Sequence, residues 1–139
     1  MGDLFSKAIN QFISFICIML QLVAKWAKPL AVIWLLIITV LFFLPGSALP
    51  KENWLDNIHF DKWVHVGFFA VLLFLWRFYL PHRTKYNILM LIAALAYGVG
   101  VECIQHYFIA NRSFDLGDVM ADMFGAFAGL FVWGRYIKK

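Results

Sequence analysis

Residues 111–129 read Asn111-Arg112-Ser113-Phe114-Asp115-Leu116-Gly117-Asp118-Val119-Met120-Ala121-Asp122-Met123-Phe124-Gly125-Ala126-Phe127-Ala128-Gly129, a charged loop that turns into an apolar segment without a break. Wound as a helix, Asp115, Asp118, Asp122, Gly125 and Gly129 follow spacings of three, four, three and four, which puts them on one face. That face starts with carboxylates and ends bare. Bare glycines admit a second backbone at close range, so the carboxylates beside them are expected to point into the same seam.

Composition sets the class around that helix. The 139 residues are 63% hydrophobic and 14% charged, with a mean hydropathy of +0.78. A soluble domain of this size has too little interior to hide so much apolar surface. Apolar runs of about 18 residues or more cross a hydrocarbon core of roughly 30 Å. The expected fold is all-α: a polytopic membrane protein of four transmembrane helices, preceded by an N-terminal amphipathic helix lying in the interface. The net charge of +4 comes from basic residues that flank apolar segments, which speaks for orientation and against a nucleic-acid partner. Cys17 and Cys103 lie in apolar stretches without metal-like or redox spacing and read as small hydrophobes.

Two units follow along the chain, residues 1–28 and 29–139. In the first, Asp3, Lys7, Asn10, Ser14, Gln21, Lys25 and Lys28 form a polar stripe opposite Phe5, Ile9, Phe12, Ile16, Met19 and Val23. A secretory signal is the rival reading, but a positive start and a small-residue cleavage site are wanting. Pro29 suits the first turn of the next helix, over residues 30–44, which Pro45-Gly46 closes. Further helices are expected over residues 61–80, 86–110 and 115–136. Trp54 and Trp63 read as interfacial anchors at one side, with Trp76, Tyr79, Trp133 and Tyr136 as the opposite aromatic belt. Lys7, Lys25, Lys28, Arg77, Arg83, Lys85, Arg135, Lys138 and Lys139 fall on one side, against Lys51, Lys62 and Arg112 on the other, so both termini are expected in the cytoplasm.

The unusual residues then gather at the outer ends of three helices. Asp61 and His65 share one face of the second span; Glu102 and Gln105 share a face of the third, extended inward by Ala94 and Gly98; Asp115, Asp118 and Asp122 open the fourth. Glu102 lies about 12 Å below the expected helix end at roughly 1.5 Å per residue. A carboxylate at that depth costs several kcal/mol unless it faces protein or water. Plain structural roles stand beside functional ones. Asp61 and Asp115 suit helix caps, Lys62 suits snorkelling, and Gly98, Gly125 and Gly129 suit helix packing, with Gly98 expected against Gly125.

In order and spacing, Asp61-Lys62-x-x-His65, Glu102-x-x-Gln105, Arg112-x-Phe114-Asp115-x-x-Asp118 and Gly125-x-x-x-Gly129 resemble the VanZ-like membrane proteins over about residues 30–136. Members more often carry asparagine where this chain has Asp122. The resemblance implies a four-span protein of the bacterial cytoplasmic membrane with a role in the envelope, the family being named for a member linked to teicoplanin resistance; it supplies no reaction. Carboxylates outnumber cations in the cluster, which suits a divalent metal on Asp61, His65, Asp118 and Asp122. The leading expectation is a site for an anionic envelope lipid or lipid-linked precursor. Glu102, His65 and Asp118 are its catalytic candidates, and Arg112, Lys62, Gln105 and Asp115 its binding residues. The alternative is a non-enzymatic lipid-binding or modulatory protein whose polar cluster is structural. Ion-coupled transport is disfavoured by so few helices.

Overall fold

The computed structural model describes residues 2–45 and 59–137. Four helices make up these residues: α1 (Gly2–Phe42), α2 (Phe60–Arg77), α3 (Thr84–Phe108) and α4 (Leu116–Tyr136). The expected anchor Trp54 and its loop lie outside the described residues. Helices α2 to α4 fall within a few residues of their expected bounds, because Pro81 and the polar run 111–115 interrupt the apolar periodicity there. His59 precedes α2 with φ 49°, and Asn111 turns the α3–α4 connection with φ 61°, a conformation that asparagine tolerates through its short polar side chain.

One boundary differs. The break expected at residues 28–29 is absent, and α1 runs through Pro29 as a single helix of 41 residues. A proline inside a helix removes one hydrogen bond and bends the rod, and good helix formers on both sides, Ala24, Lys25, Ala27 and Lys28 before it and Leu30 and Ala31 after it, carry the helix past that loss. Stretches Gln21–Phe42, Thr84–Phe108 and Leu116–Arg135 are long and apolar enough to cross a membrane.

The helices alternate in direction. Gly125 packs on the Val66 carbonyl and Gly129 on that of Ala70, so α2 and α4 run parallel and form the most intimate pair of the bundle. The small-residue seam therefore lies between α4 and α2. The expected contact of Gly98 with Gly125 is replaced by Gly98 against the Asp122 carboxylate, because the glycine and carboxylate faces of α4 address different neighbours. A core of Ile38, Phe42, Phe69, Leu72, Met90 and Leu130 fills the centre. Where α1, α2 and α3 diverge, an apolar groove of about 360 Å³ is lined by Leu35, Leu72, Trp76, Met90, Ala94 and Tyr97.

Polar struts fix the register of α1. Trp34 Nε1 donates to the Phe68 carbonyl at 3.0 Å, and the Thr39 hydroxyl meets that of Tyr97 at 2.7 Å. Gln105 Nε2 donates to the Phe42 carbonyl at 2.8 Å, satisfying one of the acceptors that a helix leaves open at its C-terminus. At the far end of the bundle Lys28 lies 4.6 Å over the Tyr79 ring, so α1 leaves the bundle at that level. Trp133 does not join an exposed belt. It is 2% exposed, stacked under the Arg77 guanidinium at 4.4 Å and edge-on to His82. Trp63 and Tyr79 are exposed, as anchors require.

Candidate functional site

The end of the bundle opposite Lys28 collects ionisable side chains from α2, α3 and α4. Asp115 is the residue that starts α4. Its extended backbone lets its carboxylate accept the Gly117 N–H at 2.6 Å, the expected cap. Its other oxygen takes Lys62 Nζ at 2.6 Å, and the same ammonium reaches Asp118 Oδ1 at 2.8 Å. The Lys62 ammonium holds the Asp115 carboxyl below the ordinary aspartate value of 3.8. Lys62 is thus turned inward as the cation between two carboxylates. Snorkelling and inward pairing give the same sequence signal, an isolated lysine near a helix start. What marks Lys62 is His65 three residues on, which shares its face.

Beneath Lys62 the site is dry. His65, Glu102, Asp118 and Asp122 are 5%, 1%, 6% and 1% exposed. His65 Nδ1 meets Asp122 Oδ1 at 2.8 Å, and its Nε2 lies 3.9 Å from Asp118 Oδ2. The Asp115 N–H donates to Glu102 Oε2 at 2.8 Å, tying α3 to the start of α4. Glu102 Oε1 and Asp122 Oδ2 are buried with no hydrogen-bond partner among the described residues. The His65–Asp122 pair joins two residues grouped at the sequence level only as metal candidates.

Three expected members stand differently. Asp61 is 53% exposed at its side chain and comes no nearer to Lys62 than 3.9 Å, so it sits on the rim. Gln105 is buried and spends its amide on the Phe42 carbonyl, which makes it a strut between α3 and α1. Arg112 forms no ion pair with the cluster; its Nε is buried without a partner among the described residues. Loop placement near carboxylates does not aim a long side chain, and Lys62 already occupies the position where Arg112 was expected.

Long apolar helices closed over a buried cluster of three carboxylates and a histidine, under a partly exposed lysine, define an all-helical membrane protein with a polar site at one end of its bundle. The sequence model of the VanZ/LLP1 family matches residues 11–137, and the chain belongs to that family. Its match to the uncharacterized protein C11E3.10 of the fission yeast Schizosaccharomyces pombe is 29% identical over 119 residues, 84% of this chain and 68% of the yeast protein. No solved structure matches the chain.

Proposed function

We propose that this protein crosses the membrane four times, with both termini in the cytoplasm, and uses the cluster at the outer end of the bundle to bind the phosphate-bearing head group of an envelope lipid. The observation that carries this reading is the burial of Glu102, Asp118, Asp122 and His65 at helix ends, under a partly exposed Lys62. Such groups at membrane depth are costly and mark sites for polar ligands. The fourth crossing is α2. Its charges, Asp61, Lys62 and Arg77, lie at its two ends, and only His65 interrupts the apolar run between them. Lys62 supplies one direct contact for a phosphate, while the excess of carboxylates calls for a cation between cluster and head group. A relative in a fission yeast favours a lipid shared by both kinds of cell over a wall precursor. Glu102 and His65 are the proton-transfer candidates for any turnover of the bound lipid.

The internal satisfaction of the cluster favours a second reading, in which it only fixes the packing of α2, α3 and α4. Glu102→Gln separates the two, since Glu102 carries no ion pair with Lys62. In chelator-treated protein, relief of repulsion among carboxylates leaves a ligand site as stable or more so. Loss from a structural pair costs about 3–5 kcal/mol. Lipids co-purifying with wild type and variant are compared by mass spectrometry. Selective loss of a phospholipid class in a stable variant supports the head-group site. Equal lipid profiles with collapsed stability establish the structural reading in its place.

A further inference from the structure

We infer that His65, Glu102 and Asp118 form a divalent-metal site, with Asp122 as the residue that orients the histidine. One ligand atom from each of the three lies within 4.8 Å of those of the other two, and each comes from a different helix. An acidic cluster alone would not define a site. The second observation is the Glu102 carboxylate, 1% exposed, whose Oε1 has no partner among the described residues.

The hydrogen bonds account for the other half of every ligand. His65 uses Nδ1 on Asp122, Glu102 uses Oε2 on the Asp115 N–H, and Asp118 uses Oδ1 on Lys62. What remains is Nε2, Oε1 and Oδ2, one donor atom per residue. His65 Nε2 and Asp118 Oδ2 lie 3.9 Å apart, and each of the three residues brings a ligand atom within 4.8 Å of the others, separations that close with small side-chain movements to metal–ligand bonds of about 2.0–2.2 Å. A ligating histidine whose second nitrogen is held by a carboxylate is the usual outer-shell arrangement of protein metal sites, and it fixes both tautomer and ring plane. Gly98 makes room for that carboxylate, since a methyl there would stand 2.6 Å from Asp122 Oδ2.

The donor set selects the ion. One imidazole and two carboxylates suit a small borderline dication, Zn²⁺ or Mn²⁺, with positions left for water or a phosphate oxygen. Ca²⁺ asks for six to eight oxygens, and Mg²⁺ keeps most of its water. Two carboxylates balance the ion's charge, and Lys62 stays as the counterion of Asp115. The exposed Asp61 of the sequence-level set is not a ligand, and Asp122 acts through His65. The inference rests on the proposed head-group site only for what the ion would hold; the ion itself is measured without lipid.

The test is metal content and thermal stability of the purified full-length chain in detergent. Expected are close to one equivalent of Zn²⁺ or Mn²⁺ per chain, removal by chelator, and a melting temperature that rises with added Zn²⁺ or Mn²⁺ and stays unchanged with Ca²⁺. Glu102→Gln abolishes the rise. Should that variant fail to fold, Asp122→Leu keeps all three ligands and is expected to bind about 10–100-fold more weakly. Asp122→Asn, which still accepts from His65 Nδ1, restores most of the affinity. Wild-type protein without stoichiometric metal or a metal-dependent shift overturns the inference, as do Glu102→Gln or Asp122→Leu binding like wild type. Metal bound with no lipid selectivity sinks the head-group reading alone; lipid selectivity in wild-type protein that holds no metal and gains no stability from Zn²⁺ or Mn²⁺ sinks this one alone.

Discussion

Lys62 is the residue on which the polar end of the bundle balances. Its ammonium neutralises Asp115 and Asp118 together, and Asp118 has only 9% of its side chain exposed. Lys62→Met is therefore expected to lower stability by about 3 kcal/mol, the lower end of the range for breaking a buried pair, because Lys62 is itself 30% exposed. Lys62→Arg should recover part of the loss, and thermal unfolding in detergent reads both. Asp115 adds a pH signature. Its folded value is depressed, so its pairing stabilises the fold above the ordinary value of 3.8 and is lost as the pH falls below it. The stability gap between wild type and Asp115→Asn is thus expected to be constant near neutrality and to close below about pH 4. A gap independent of pH would mean that the charge of the side chain does not contribute to the pairing.

Among the elements, the α2–α4 seam decides the packing. A methyl at Gly125 or Gly129 would run into the backbone carbonyl of Val66 or Ala70, and backbone inside a helix has nowhere to yield. Gly125→Ala and Gly129→Ala are expected to cost about 1–3 kcal/mol each, as overpacked cores do. Gly134→Ala, with open space at its Cβ, should be neutral or gain up to about 1 kcal/mol of helix propensity. If all three behave alike in unfolding midpoints, the seam is not where the structure puts it. The glycine face was legible in the sequence because spacing defines a face; its partner was not, because spacing does not say what lies opposite. The same limit applies to Gln105, whose position beside Glu102 was readable but whose bond to Phe42 was not. Helix ends at Pro81 and Asp115 were legible because cap and breaker chemistry is local. Pro29 misled because a single lost hydrogen bond is outweighed by the good helix formers on both sides of it.

At the scale of the whole molecule the charges split by end. Lys28, Arg77 and His82 cluster around Tyr79 and Trp133, whereas Asp115, Asp118, Asp122 and Glu102 occupy the opposite end. With Cys17 and Cys103 replaced, a cysteine at Asp61 is expected to react with a membrane-impermeant thiol reagent in intact cells, and one at Lys85 only after permeabilisation. The reverse pattern would invert the topology and put the cluster in the cytoplasm. The fold class was open to sequence because hydropathy reports solvent directly. The cluster was open in part of its membership, with Asp61, Gln105 and Arg112 falling outside it, and closed in its wiring, which side-chain direction decides.

Helix α1 has one more consequence. From Lys28, level with the rim of the bundle, its 23 residues back to Phe5 reach about 35 Å at roughly 1.5 Å per residue. Phe5, Phe12 and Phe15 on that length are 71%, 65% and 61% exposed. Pro29 has no N–H to give to the Lys25 carbonyl, so the rod is weakest in the turn where it leaves its neighbours. The first part of the chain is an outrigger on an elbow. Its phenylalanines form an apolar edge that the helices of the bundle leave uncovered.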